Sequence, residues 1–153
     1  MFKCNSAGIA ISIEIKRPDM STFYDEDEWC LVSFKLTSGK MLRYECEDAY
    51  VLRFSEIREL HEALTKLLMN EYKEETVVNF EVPDFEFYLF PVFDLKKDPN
   101  FLYVTEEGRF TKINLDWRIY FWNGAVSTSN YLSVNLGKEQ IIELRDYLRT
   151  ILN

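Results

Sequence analysis

The sequence is poor in the residues from which metal and catalytic sites are most often built. It has one histidine, His61, and three cysteines among 153 residues, and no two cysteines form a CxxC pair. A zinc site of ordinary ligand spacing is therefore excluded. No G-x-S-x-G nucleophile elbow accompanies His61, which flanks a helical apolar stripe, so a structural or solvated histidine is favoured over a general base. The sequence predicts no cofactor and no metal.

Glycine and proline are also scarce, with five and four residues respectively. The glycines are isolated from one another, which excludes a glycine-rich loop of the kind that cradles phosphate. The scarcity of both residues also argues against a disordered chain or a long linker. Because 153 residues is the usual size of one domain, we expect residues 1–153 to form a single domain.

Long apolar runs are missing as well. No stretch approaches the roughly 18 apolar residues that a membrane-spanning helix needs, and Met1–Ser6 lacks the apolar run of a signal peptide. The three cysteines (Cys4, Cys30 and Cys46) are an odd number and do not suggest a disulfide framework. We therefore expect a cytoplasmic protein without a membrane partner.

Acidic residues, in contrast, are abundant. The chain has 26 acidic and 18 basic residues, a net charge of −8. Such a surface repels the phosphates of nucleic acids and anionic lipids, and it attracts and steers a basic protein partner. The same acidity would also be explained by solubility alone, and composition does not separate the two explanations.

Alternation of apolar and polar residues predicts a strand-rich chain. Strands are indicated at Ile9–Ile15, Trp29–Leu36 and Met41–Cys46, with Gly39 in the turn between the last two. In the second half the pattern predicts strands at Thr76–Val82, Phe85–Phe90, Lys112–Trp122 and Tyr131–Asn135, with a long loop at Lys96–Gly108.

Two amphipathic helices complete the prediction, one from an N-cap at Ser55 to about Tyr72 and one at about Lys138–Leu152. The fold class that follows is α+β, a mostly antiparallel twisted sheet of about six to seven strands with the two helices packed on it. The apolar stripes of the helices match at a fixed offset, from Ile57 with Ile141 to Leu68 with Leu152. Either a strand–strand–helix unit is duplicated, or the match is one that any two amphipathic helices give.

Carboxylates recur at outward-facing or loop positions, close to aromatic residues. An acidic field with exposed aromatic side chains is typical of a protein-binding surface. The run of four adjacent carboxylates lacks the ligand spacing and mid-loop glycine of a calcium site, so a solvated loop is favoured there. The predicted partner-binding residues are Asp25, Glu26, Asp27, Glu28, Glu45, Glu47, Asp48, Asp84, Glu86, Tyr120 and Trp122.

The order of elements from Trp29 onwards resembles that of the WapI-type immunity proteins of bacterial contact-dependent toxin systems. The residues that carry this layout are Glu28-Trp29-Cys30-Leu31-Val32, the helix start Ser55–Leu60, the strand Phe85–Leu89, Leu132-Ser133-Val134 and Glu139–Leu144. The resemblance implies a cytoplasmic antitoxin that binds and blocks the toxic C-terminal domain of a cognate toxin. Such toxins are often nucleases and basic, which would give the acidity a function. The layout contains no diagnostic motif, so it assigns no binding residue.

The leading hypothesis is a non-enzymatic immunity-type protein, a monomer or homodimer, that binds and neutralises a basic toxin domain. One alternative is a small-ligand-binding or enzymatic domain with a pocket between sheet and helices, containing His61 and two converging carboxylates. Another is a structural module that forms homo-oligomers through a strand edge or an aromatic face.

Overall fold

The computed structural model describes residues 1–17, 28–82, 84–92, 112–123 and 126–153, with the side chains of residues 122, 123, 126 and 127 left out. The first half contains β1 (Phe2–Ser6), β2 (Ile9–Lys16), β3 (Trp29–Ser38), β4 (Leu42–Arg53) and α1 (Phe54–Leu68). The second half contains β5 (Thr76–Asn79), β6 (Phe85–Phe90), β7 (Asn114–Asn123), β8 (Val126–Gly137) and α2 (Lys138–Leu152). Each half forms one four-stranded antiparallel sheet whose strands are neighbours in chain order. We call β1–β4 the first sheet and β5–β8 the second sheet.

The two halves repeat one architecture of four strands followed by a helix. Helices α1 and α2 each have 15 residues and begin at Phe54 and Lys138, 84 positions apart. Strands β4 and β8 each have 12 residues and begin 84 positions apart, at Leu42 and Val126. Strands β3 and β7 each have 10 residues and begin 85 positions apart, at Trp29 and Asn114. The matching helix stripes therefore belong to a repeated unit, which is larger than the strand–strand–helix unit considered above.

The inner faces of the sheets meet in the core. The ring of Phe34 on β3 lies 5.2 Å from that of Phe85 on β6 and 5.8 Å from that of Trp117 on β7, measured between centroids. Trp117 also stacks against Phe87 at 5.2 Å. Aromatic pairs at such distances contribute about 0.5–1.5 kcal/mol beyond the area that they bury. The buried stripes of the helices join the same core through Ile57, Leu60, Leu64, Leu67, Ile141, Leu144 and Leu148.

Helix α1 begins two residues earlier than predicted and is shorter. Its N-cap is Arg53, so Ser55 lies inside the first turn. The Glu56 carboxylate accepts the backbone N–H of Arg53 at 2.7 Å, which satisfies a donor that the helix leaves open. The helix ends at Leu68, before Tyr72, and Asn70 then adopts a φ of +56°. Asparagine tolerates this left-handed conformation and is favoured where helices stop.

The α+β class and both helices are confirmed, whereas the single sheet of six to seven strands is corrected to two sheets, with eight strands among the described residues. Strand β1 was not predicted because only Phe2 of its five residues is buried. Strand β8 is longer than the predicted Tyr131–Asn135, because pairing with β7 extends it to Val126. Its first half is polar, so apolar alternation did not predict that part. Strand β5 ends at Asn79, short of Val82. The predicted loop at Lys96–Gly108 lies outside the described residues.

Candidate partner-binding surface

The carboxylates predicted to bind a partner fall into separate groups. Asp25, Glu26 and Asp27 lie outside the described residues. Glu28 directly precedes β3, and its backbone carbonyl accepts the N–H of Phe54 at 2.9 Å, so this residue helps to place the start of α1. The remaining carboxylates are divided between the two sheets. Glu45, Glu47 and Asp48 are exposed on β4, whereas Asp84 and Glu86 lie immediately before and on β6.

Two carboxylates of the first sheet have cationic neighbours. Asp48, at a φ of +47°, accepts hydrogen bonds from Lys16 Nζ at 2.7 Å and Ser33 Oγ at 3.1 Å. These hydrogen bonds hold the pKa of Asp48 below its usual value. Arg43 donates to Glu45 at 2.8 Å, and that hydrogen bond lowers the pKa of Glu45. Exposed pairs of this kind contribute little to stability, but they neutralise part of the negative charge of this face.

On the second sheet, alternation along β7 buries Leu115, Trp117 and Ile119 and turns Arg118 and Tyr120 to the outer face. The cross-strand partner of Arg118 on β6 is Glu86, and that of Tyr120 on β8 is Tyr131. Tyr88 lies two residues from Glu86 on the same face of β6. We call Tyr88, Arg118, Tyr120 and Tyr131 the tyrosine–arginine cluster.

Arg118 is the centre of this cluster. Its guanidinium carbon lies 3.6 Å from the ring centroid of Tyr88 and 4.8 Å from that of Tyr131. Cation–π contacts at these distances favour the charged guanidinium. Arg118 is thereby held between the rings of Tyr88 and Tyr131.

The Tyr120 hydroxyl is hydrogen-bonded to a carboxylate on the same face. It donates to Glu86 Oε2 at 2.6 Å, and the Tyr88 hydroxyl lies 3.4 Å from the same oxygen. Burial raises the pKa of Tyr120 to about 12, and the hydrogen bond to Glu86 adds to the shift. The backbone N–H of Tyr120 donates to the Asp84 carbonyl at 2.9 Å. The structure thus brings the side chains of Glu86 and Tyr120 together, whereas Asp84 meets Tyr120 through the backbone. Trp122 follows on β7, with its side chain outside the described residues.

A pocket of about 620 Å³ opens at one end of the same outer face. Asp116, the cross-strand partner of Tyr88, lies between this pocket and the cluster. The Asn135 amide donates to Asp116 at 2.7 Å and to Asn114 at 3.2 Å, which orders these side chains. The described residues that line the pocket are Lys73, Glu74, Glu75, Phe90, Pro91, Asn114, Asp116 and Asn135.

His61 lies apart from this surface. It sits half-buried on α1, and burial together with the charges of Arg145 and Arg149 on α2 lowers its pKa. His61 does not line the pocket described above. Within the described ranges, no group of three or more His, Cys, Asp or Glu side chains is placed to hold a metal ion. Of the helices that the structure describes, neither is long and apolar enough to cross a membrane.

Sequence reasoning missed Tyr88, Arg118 and Tyr131 as members of the surface. The period-two pattern of β7 did place Arg118 on one face with Tyr120. Tyr88 and Tyr131 come from strands that are distant in sequence, and their approach to Arg118 depends on the register of β6 and β8 against β7. Pairing register is a property of the folded sheet, which a single sequence does not reveal.

Comparison with known proteins gives one family. The profile of the Immunity protein WapI-like family matches residues 2–153, which include both sheets and both helices. A search of curated proteins gave no match.

Proposed function

Because the chain belongs to the WapI-like immunity protein family, we propose that it binds a cognate toxin domain and neutralises it without catalysing a reaction. The observation that carries this proposal is the extent of the family match, which runs from residue 2 to residue 153. The family match therefore includes both halves of the repeated architecture. The protein would act stoichiometrically, in the cytoplasm, as a monomer or homodimer and without a cofactor.

The partner in this proposal is basic. The chain has 26 acidic and 18 basic residues, and a surface of net negative charge accelerates the encounter with a positively charged protein. A nuclease domain needs lysine and arginine side chains to hold phosphates. Carboxylates of the immunity protein would form ion pairs with those side chains in place of the substrate's phosphates, and so block the toxin's active site.

Two of the predicted surfaces provide negative charge that attracts a basic partner. One is the exposed group Glu45, Glu47 and Asp48 on β4. The other combines Asp84 and Glu86 with aromatic side chains of β7, where Tyr120 donates to Glu86 and Trp122 follows two residues later. The acidic segment Asp25–Glu28 is a third source of negative charge. Each group is proposed to contribute to steering, because charge acts at a distance whether or not it is in direct contact.

The test is co-purification with the toxin domain encoded by the neighbouring gene. Tagged protein and untagged toxin domain, expressed together, should elute as a complex of fixed stoichiometry, which light scattering would measure. The same complex formed at salt concentrations from roughly 50 to 500 mM should weaken steadily, because the steering charges are exposed and screened. Failure to co-purify at low salt would refute the proposed function. Binding that is independent of salt would refute the basic partner and leave neutralisation itself in place.

A further inference from the structure

We propose that the outer face of the second sheet is the surface that docks the toxin domain, and that it receives an arginine- or lysine-bearing segment of that domain. The docking face consists of the tyrosine–arginine cluster, Glu86 and the pocket beside Asp116. This inference rests on the proposed binding function and adds to it the location of the contact and the chemistry of the segment that is bound.

The internal repeat provides the first reason. Strands β3 and β7 correspond at an offset of 85 residues. In this repeat, Arg118 and Tyr120 are equivalent in position to Ser33 and Lys35. On the first sheet Lys35 pairs with Glu45, a charged pair, whereas Tyr120 pairs with an aromatic residue on the second sheet. The first sheet also has outward aromatic side chains, Tyr50, which is 67% exposed, and Trp29, whose ring lies 4.8 Å from the guanidinium carbon of Arg53. At the position of Tyr120, however, the fold accepts Lys35, so it does not require a cluster of three tyrosines around one arginine.

The second reason is the order of the cluster. Arg118 is held at 3.6 Å from the Tyr88 ring and 4.8 Å from the Tyr131 ring, and Tyr120 is fixed by its 2.6 Å hydrogen bond to Glu86. Tyr131 nevertheless remains 44% exposed. Tyrosine and arginine are enriched among the residues that dominate binding energy. Side chains that are already ordered lose less conformational entropy when a partner docks.

Charge complementarity selects the occupant. The charge of Arg118 is met on its own sheet by Glu86, its cross-strand partner. Among the described residues that line it, the pocket beside the cluster contributes carboxylates from Glu74, Glu75 and Asp116 against one ammonium group, that of Lys73. Phe90 also lines this pocket, and aromatic rings attract guanidinium groups. A pocket of about 620 Å³ is within the range of small-molecule sites, so it has room for a long basic side chain.

Matched substitutions on the two sheets test this location. On the docking face we would make Tyr131→Ala and Asp116→Asn. The controls are Tyr50→Ala and Glu47→Gln on β4, where Tyr50 is 67% exposed and Glu47 is an exposed carboxylate. Each variant is titrated calorimetrically at low salt with the toxin domain encoded by the neighbouring gene, and circular dichroism verifies that each is folded.

Tyr131→Ala is expected to raise Kd about 30-fold, or about 2 kcal/mol at 1.4 kcal/mol for each tenfold change. Asp116→Asn should raise Kd about tenfold and reduce the salt dependence of binding. The controls on β4 should change Kd by less than about threefold. Weakening by Tyr50→Ala and Glu47→Gln alone would place the contact on the first sheet and overturn the location. Four variants that all bind like the wild type would overturn it too, with the binding function intact, whereas a wild-type protein that does not bind would refute the binding function itself.

Discussion

Glu56 connects the two halves of the fold at the start of α1, and its removal should be among the more destabilising single changes in the first half. Its side chain is only 8% exposed. One carboxylate oxygen accepts the N–H of Arg53 at 2.7 Å, and the other accepts the N–H of Glu81 at 2.7 Å. The first bond caps the helix and the second holds the segment between β5 and β6. Glu56→Ala would remove both bonds at once.

The magnitude follows from the charge of the acceptor. A hydrogen bond to a charged group contributes about 1.5–3 kcal/mol, and the two bonds are not fully additive because water reaches part of the site after truncation. We expect Glu56→Ala to lower the free energy of unfolding by about 3 kcal/mol. For a chain of this length the melting temperature should fall by about 6 to 12 °C. Urea unfolding followed by circular dichroism measures the free energy, and a thermal scan measures the temperature.

The repeat supplies a matched control. Gln140 occupies the corresponding position at the start of α2, where it accepts the N–H of Gly137 at 3.0 Å and donates to the Asn5 carbonyl at 3.1 Å. These bonds are neutral, so Gln140→Ala should lower the free energy of unfolding by only about 1 to 2 kcal/mol. Glu59→Ala, at an exposed position of α1, should change it by less than about 0.5 kcal/mol. If Glu56→Ala is no more destabilising than Glu59→Ala, the capping account is wrong.

Three further predictions concern the core and its titrating groups. Trp117→Ala should lower the free energy of unfolding by about 3 to 5 kcal/mol in urea titrations, because the indole is 1% exposed and packed among aromatic rings; a loss below about 1 kcal/mol would contradict the packing. Cys30 should resist iodoacetamide in the native protein at neutral pH and react only after unfolding, because burial raises its pKa to about 11. Alkylation of Cys30 in the native protein, detected by peptide mapping, would contradict this. The single histidine, His61, should titrate by NMR below its ordinary pKa of 6.5, since burial and then Arg145 and Arg149 disfavour its protonation. As pH falls, the unfolded state binds this proton at a higher pH than the folded state does. His61 should therefore lower the stability of the fold between about pH 6.5 and its folded pKa. A folded pKa of His61 above 6.5 would refute this.

Much of the fold could be predicted because local patterns agree with the final structure. The turn at Gly39 was expected from its sequence, and the structure gives that glycine a φ of +55°. Phe85–Phe90 was predicted with the bounds that the structure shows. The second helix was also predicted over Lys138–Leu152. Each of these elements contains its own periodicity or turn residue, so tertiary context was not needed to locate it.

The division into two sheets could not be predicted, because strand pairing depends on contacts between distant residues. Alternation identifies a strand and its buried face but not its neighbour. The helix cap was misplaced for a similar reason. Ser55 has the side chain that N-caps prefer, yet the cap is Arg53, since Glu56 reaches back to its N–H and also binds the N–H of Glu81. The long-range bond to Glu81 fixes Glu56 and with it the start of the helix.

The candidate surface shows the same division between local and distant information. The outward direction of Tyr120 followed from alternation along β7, and its approach to Glu86 followed only from the pairing of β6 with β7. Glu45, Glu47 and Asp48 are exposed on β4 as predicted, but the ion pairs with Lys16 and Arg43 were not foreseen. Binding of the partner by the second sheet remains a prediction, which the matched substitutions on the two sheets test.

The most direct test of the proposed function is protection of cells from the toxin. Cells that express the toxin domain encoded by the neighbouring gene from an inducible promoter would also receive this chain, or an unrelated acidic protein of similar size as a control. The proposed function predicts that growth continues only with this chain, and that protection depends on its being present in at least equal amount to the toxin domain. Growth arrest that is the same with this chain and with the control, at matched expression, would contradict it.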